Sequence, residues 1–337
     1  MVTIRDVARE AGVSPTTVSY VINGTRLVSK ETRAKVLEAI EKLDYRPNTV
    51  ARSLRSKKTY TVGLVVCDLK NPFFAEVLQG IEEYLNERGY TLLVIDTDYD
   101  VREEEKAMEI LLGKQVDGVI AVLGSEENKG LKAFEERNAP VVLLDKRARA
   151  EKWADTVLVN NKEGSQRLIE YVLSLGYRRI GIIAGPLNTT TGRERLEGYL
   201  EALRKFSVPK DEKLVGIGDF RRDSGYSITL DFLSLSSPPE VIYACNNLMC
   251  LGAMEALRDR GFRIPEEIGL VVFDDLPWFR FTDPPLTAIS QPSFRLGEVA
   301  AKLLFERMRG RRRKPKEVIL DVHMEIRQSL RIKKGGE

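Results

Sequence analysis

A single histidine stands in 337 residues, and cysteine occurs only three times. That histidine, His323, lies in the alternating, strand-like run "VILDVHMEI" with no cysteine near it. Ser-His-Asp catalysis and histidine-built metal centres therefore lack their parts, and His323 reads as structural. Cys67, Cys245 and Cys250 give no disulfide framework, and "CNNLMC" has neither zinc spacing nor further ligands. All three read as buried thiols acting as small hydrophobes. No metal and no cofactor is expected. Long apolar runs are also missing, since nothing approaches the roughly 20 residues that cross a bilayer. The charged, amphipathic start "MVTIRDVARE" is unlike a signal peptide. The expectation is a cytoplasmic protein with no membrane partner. Neither G-x-G-x-x-G nor G-x-x-x-x-G-K-S/T follows any apolar strand-like run, and no acid is paired with a base in an interpretable way. An enzyme is not expected.

What is present is divided unevenly. The net charge of +3 hides a basic head: residues 1–60 carry twelve Lys/Arg against six Asp/Glu, so the remainder is mildly acidic. A small basic head on an acidic body suggests that the head meets a polyanion. Thr3 with Asp6 three residues on makes a capping-box-like start, Ile4, Val7, Ala8 and Ala11 share one helical face, and Gly12 supplies a stop. Ser14 can cap a second helix, Pro15 suits its first position, and Val18, Val21 and Ile22 mark its inner face up to Asn23-Gly24. A third helix follows Ser29, with Val36, Leu37, Ile40 and Leu43 as its inner stripe. Two short helices around a tight turn make a helix-turn-helix. Pro15, Thr16, Thr17 and Tyr20 then sit at or near the outer, N-terminal face of the second helix, from which side chains reach base edges in the major groove.

The stretch from "TIRDVAREAGVSPTTVSYVING" through "YRPNTVARSLRSKKT" resembles the head and hinge of the lactose-repressor (LacI/GalR) family of transcription regulators, most closely the purine and ribose repressors. The resemblance implies a DNA-binding set in which Thr3, Ser14, Asn23 and Arg26 join the four residues above. It also implies a hinge that becomes helical only on the operator, where paired hinges from two subunits enter the minor groove and wedge a leucine between base pairs. Here that leucine is Leu54, Asn48 caps the short helix, and Arg52 and Arg55 hold phosphates. Physical chemistry agrees: so short a segment keeps no helix alone in water, and unstacking a step costs on the order of a few kcal/mol, offset by contacts on bent DNA. Tyr20 departs from the Arg or His that many family members carry, and bulky polar residues are more usual near Pro15 and Thr16, so base preference does not transfer.

Beyond residue 60 the rhythm becomes strand, helix, strand. "TVGLVV", "YTLLVID", "VDGVIAVL" and "APVVLLD" alternate with amphipathic stretches, and from about 160 the pattern repeats through "RIGIIAG", "EVIYAC" and "IGLVVFDD". Continuous apolar strands between amphipathic helices predict parallel sheets covered on both faces. The fold class expected is an all-α helix-turn-helix head plus an α/β body of two doubly wound parallel-sheet subdomains. Ligands of such halves bind at the C-terminal ends of the strands. Those ends supply aromatic faces and bidentate polar groups suited to a sugar: Asn71, Phe73 and Phe74; Asp145 and Lys146; Arg193 and Arg195; Phe220; Asn246 and Asn247; Asp274; Gln291. The body is similar along its length to the periplasmic sugar-binding fold that the family shares, which implies ligand contacts at these positions. Asn247 replaces an aspartate usual in the family, Val272 replaces a common glycine, and Thr189 stands where purine binders have an arginine that meets the base. The cluster "RGRRRKPK" reads as a solvated surface loop, and the tail "RIKKGGE" lacks the leucine heptads of the family's tetramers.

The expected organisation is a head over 1–46, a hinge and linker over 47–59, and a body over 60–337. Within the body the N-subdomain takes about 60–160 and 291–320, and the C-subdomain about 161–290 and 321–337. The expected function is a homodimeric repressor on a pseudo-palindromic operator, controlled by a sugar between the body halves. The alternatives are a regulator with a purine or protein corepressor and, remotely, a transport-type sugar-binding protein.

Overall fold

The computed structural model describes residues 2–23, 26–45, 58–124, 126, 128–148, 153–310 and 314–333. The hinge residues Asn48, Arg52, Leu54 and Arg55 lie outside them, as does part of the basic cluster near 311. The chain forms two compact units, Met1–Thr59 and Tyr60–Glu337.

The first unit holds helices α1 (Ile4–Glu10), α2 (Pro15–Asn23) and α3 (Lys30–Lys42). The Thr3 backbone and hydroxyl both bond to the Asp6 carboxylate, at 2.9 and 2.6 Å. Those bonds hold the Asp6 carboxyl below its ordinary range. Gly12 turns the chain at φ +65°, a conformation that costs a residue with Cβ about 1 kcal/mol. Ser14 Oγ then accepts the Thr17 N–H and starts α2. Val7, Ala8, Val18, Val21, Val36 and Ala39 close the core. Leu37, expected on the inner stripe, is 49% exposed. At 100° per residue, Val36, Ala39 and Ile40 share one face, and Leu37 rotates out of it.

The second unit contains two six-stranded sheets. The first has order β11-β5-β4-β3-β1-β2, from β1 (Thr61–Val66), β2 (Thr91–Asp96), β3 (Gly118–Ala121), β4 (Val141–Leu144), β5 (Asp155–Val159) and β11 (Glu317–Leu320). The second has order β12-β10-β9-β8-β6-β7, from β6 (Ile180–Ala184), β7 (Val215–Ile217), β8 (Val241–Ala244), β9 (Gly269–Phe273), β10 (Thr287–Ser290) and β12 (His323–Glu325). All pairings are parallel except β10–β12. The central strands are buried on both faces, as continuous apolar runs require. The run "VILDVHMEI", read as one strand-like segment, is shared between the sheets: it leaves the first after Leu320 and enters the second at His323, which is exposed.

Helices α4 (Pro72–Asn86), α5 (Val101–Gly113), α6 (Gly130–Glu136) and α11 (Ser293–Met308) cover the first sheet. Helices α7 (Asn161–Ser174), α8 (Thr190–Lys205), α9 (Arg222–Leu233) and α10 (Asn247–Asp259) cover the second. The backbones of α4 and α11 touch where Gly80 faces Gly297. A Cβ on Gly80 would stand 2.1 Å from the Phe294 carbonyl oxygen, and one on Gly297 would stand 2.0 Å from that of Val77. The chain passes between the sheets three times, after β5, β10 and β11. Asn160 ties two of these passages together: its N–H reaches Leu320 O at 3.2 Å and its Oδ1 accepts Val322 N–H at 3.0 Å.

Candidate functional site

Two surfaces merit chemistry, one in each unit. In the head, Ser14, Pro15 and Thr16 are exposed at the start of α2, with Thr17 and Tyr20 half-buried beside them. Asn23 is the last residue of α2. Thr3 is exposed at the start of α1. The exposed Arg26 places its guanidinium 5.3 Å from the Tyr20 ring centroid, in cation–π range. The start of α2 thus offers hydroxyls, and Tyr20 and Arg26 add a phenol and a guanidinium. That set can donate to phosphates and both donate to and accept from base edges.

In the body, the strand ends converge on a narrow cleft. Asn71, 4% exposed, follows β1 and caps α4 by accepting the Phe73 N–H at 3.0 Å. Phe73 and Phe74 come next and pack edge to face, 5.0 Å apart. After β4, Asp145 takes φ +67° and turns Lys146 into the cleft. Phe220 (φ +68°) and Asp274 (φ +76°) share that left-handed conformation and also line it. Such backbone is uncommon outside glycine and concentrates where a site needs a side chain aimed against local preference.

The electrostatics are arranged around buried charges. Arg195, on α8, is 3% exposed. Its Nε donates to Asn161 Oδ1 at 2.9 Å, and its Nη1 donates to Cys245 O at 2.5 Å and lies 3.4 Å from Asp274 Oδ2. Its guanidinium stacks 3.8 Å from the Phe273 ring centroid. The other Asp274 oxygen accepts from Gln291 Nε2. Burial pushes the Asp145 carboxyl above its ordinary value, opposed by Lys146 and Arg195 nearby. Lys146 Nζ sits 3.6 Å from Cys67 Sγ and 4.9 Å from the Tyr99 ring centroid. Among the described residues, Thr191 Oγ1, Gln291 Oε1 and Asn247 Oδ1 are buried side-chain atoms without a hydrogen-bond partner. Thr191 and Gln291 line the cleft directly.

Of the residues expected here, Asn71, Phe73, Phe74, Asp145, Lys146, Arg195, Phe220, Asn246, Asp274 and Gln291 come together on the cleft. Asn247 and Arg193 do not line it. Asn247, fully buried, donates its amide to Asn71 Oδ1 at 2.9 Å and so joins the two subdomains behind the cleft. Arg193 turns outward to Glu126, 2.6 Å away. Two lining residues were not anticipated. Tyr99 follows β2 in the left-handed region at φ 61° and stacks on Phe220, centroids 6.2 Å apart. Thr191 lies in the first turn of α8. The strand-end rule that selected Asn71 reaches Tyr99 as well; nothing in "NTTTG" separates Thr191 from its neighbours. No group of His, Cys, Asp and Glu suited to a metal occurs among the described residues. None of their helices is long and apolar enough to cross a membrane.

Two family models match. One, described as bacterial regulatory proteins, lacI family, covers residues 3–48. The other, periplasmic binding proteins and sugar binding domain of LacI family, covers residues 59–328. The HTH-type transcriptional repressor PurR of Pasteurella multocida (strain Pm70) is 36% identical over 327 residues, 97% of each chain. A solved complex of the transcriptional regulator CelR with cellobiose is similar at 33% identity and TM-score 0.76, covering 98% of this chain and 100% of that one. The Lac repressor dimer bound to operator and the anti-inducer ONPF is similar at 28% identity and TM-score 0.85, covering 97% and 98%.

Proposed function

Because the chain belongs to the LacI family of DNA-binding transcriptional repressors, regulators rather than enzymes, we propose that a carbohydrate bound in the body cleft sets its affinity for operator DNA. The observation that carries this reading is the unsatisfied hydrogen-bonding capacity of the cleft. Thr191 Oγ1 and Gln291 Oε1 are buried acceptors without donors, beside the carboxylates of Asp145 and Asp274. A buried acceptor left unmade costs about 1–3 kcal/mol. Sugar hydroxyls donate and accept at once, and the rings of Phe73, Phe74 and Phe220 suit the apolar faces of a pyranose or furanose.

A purine effector is the second reading, favoured by relatives named PurR at 34% and 36% identity. Thr189 speaks against it. Its hydroxyl accepts Gly192 N–H at 3.1 Å and donates to Pro186 O at 2.7 Å, so it serves to cap α8 and offers nothing to a base. We assign the exposed face of α2 to the major groove and the hinge to the minor groove. The working unit is a homodimer in the cytoplasm, its heads on half-sites of a pseudo-palindrome roughly one helical turn apart. Effector and operator are then linked by a coupling free energy of about 1–3 kcal/mol.

Thermal melting of the full chain with D-ribose, cellobiose, D-glucose, adenine, guanine and hypoxanthine tests the effector class. A ligand at about a hundred times its Kd adds about 2.7 kcal/mol. For a body of roughly 280 residues that raises Tm by about 4–5 °C. A rise with a purine base and none with a sugar would overturn the carbohydrate reading.

A further inference from the structure

The N-terminal end of α8, over its first two turns, faces two ways. Thr191 and Arg195 look into the cleft, while Thr190, Arg193 and Glu194 meet the other subdomain. Thr190, 1% exposed, donates its hydroxyl to Glu126 Oε1 at 2.7 Å and accepts the Arg147 N–H at 3.0 Å. The same Glu126 oxygen takes Arg193 Nη2 at 2.6 Å. Arg147 Nη1 donates to Glu194 Oε1, also at 2.6 Å, while its Nε and Nη2 hold Glu317 of β11 at 2.9 and 3.2 Å. Consecutive residues of one helix thus send ion pairs of opposite polarity across the same boundary.

We infer that Arg193 and Glu194 are positioning residues: with Glu126 and Arg147 they form a two-pronged clasp that holds the body halves closed next to the ligand. The inference rests on the cleft being the effector site, but the clasp can be tested without an effector. Isolated surface ion pairs contribute little. These differ in two respects. The Glu126 side chain is 9% exposed, so losing Arg193 takes the paired cation from a mostly buried carboxylate. The alternation of sign also fixes register, because sliding α8 by one residue in one direction sets Arg193 against Arg147, and in the other sets Glu194 against Glu126. Ligand contact at Thr191 or Arg195 and clasp contact at Thr190 bear on the same end of one helix.

Hydrogen exchange of the full, ligand-free chain reads the clasp. We expect amides in 121–130 and 187–196 to exchange about tenfold faster in Arg193→Glu and in Glu126→Arg, with a smaller rise in the mild variant Arg193→Gln. The double variant Glu126→Arg/Arg193→Glu should return to within about threefold of the unaltered chain, because the pair is restored with reversed sign. Affinity for a duplex selected from a random pool by the full chain should change by about fivefold or more in the single variants and recover in the double. Unchanged exchange in both single variants overturns the clasp, as does a double variant no better than the worse single one. Faster exchange with unaltered duplex affinity would make the pairs merely structural and overturn their positioning role. A failure of every sugar to bind, with exchange behaving as expected, overturns the effector reading alone.

Discussion

Replacing Arg195 with methionine separates what the buried cation does for the fold from what it does for a ligand. Methionine keeps much of the side chain's apolar volume and removes every donor. Asn161 Oδ1, Cys245 O and the Asp274 carboxylate, now served at 2.9, 2.5 and 3.4 Å, each lose a donor in a site 3% exposed. Breaking a buried pair from one side costs about 3–5 kcal/mol, because the surviving charge is uncompensated. With an unfolding entropy of about 2.1 cal/mol/K per residue, a body of roughly 280 residues should lose about 5–9 °C in Tm. Adding Asp274→Leu removes the stranded charge, and most of that loss should return. Effector binding should not return, since both polar groups face the cleft. The assay is calorimetric melting of the two variants, with and without the sugar that raises the Tm of the unaltered chain. A single variant that loses less than about 1 kcal/mol would refute the pairing. A double variant that regains sugar binding would refute the assignment of these two groups to the ligand.

Three further outcomes are expected. Leu54→Ala should leave melting and effector binding unchanged while lowering both operator affinity and DNA bending, measured by gel shift with circularly permuted duplexes; unaltered bending would sink the wedge. Asp145→Asn should stabilise the ligand-free chain at neutral pH. Burial raises the folded carboxyl's pKa above 3.8, so ionisation is a cost present above the folded pKa and absent below 3.8; the gain should fade in acid melts. Gly297→Ala should lower Tm by several degrees, because its methyl group would stand 2.0 Å from the Val77 carbonyl oxygen and overpacking of this kind costs about 1–3 kcal/mol or more.

The head was the most legible part of the chain because its signals are local. Thr3, Gly12, Ser14 and Ser29 each act within four residues, and each takes the role its chemistry predicts. Leu37 was misplaced because hydrophobicity alone cannot tell adjacent helical positions apart; Ala39, small and less conspicuous, holds the inner position. The split of "VILDVHMEI" was hidden for a different reason. The side-chain alternation continues through Asp321, so periodicity does not mark the point where the pairing partner changes from β5 to β10. In the cleft, strand ends located Asn71, Asp145, Asn246 and Asp274 without any knowledge of packing. Side-chain direction within the first two turns of α8 was not legible. Arg193 and Arg195 are two residues apart and point about 200° from one another on a helix, so one enters the cleft and the other leaves it.

Cleft occupancy has a short route to the passages between the subdomains. Gln291 lies on the second of these passages, just after β10, and its amide bonds to Asp274 in the cleft. Asn160 lies on the first and is bonded to the third at both its N–H and its Oδ1. A ligand that supplies Gln291 Oε1 with a donor stabilises one geometry of the second passage. Because α11 follows at Ser293 and packs on α4 through Gly297 and Gly80, that geometry is expected to reach the first subdomain as a rigid displacement rather than be absorbed as local adjustment. At the Gly80–Gly297 contact the two backbones meet without a side chain between them. On the proposed effector reading the route is short: one glutamine on a crossover, followed by a helix packed backbone to backbone on α4, lies between the ligand and the first subdomain. If Gln291→Leu binds sugar weakly but still responds with a full change in operator affinity at saturation, the crossover is not the route; loss of response at saturation is the result this geometry requires.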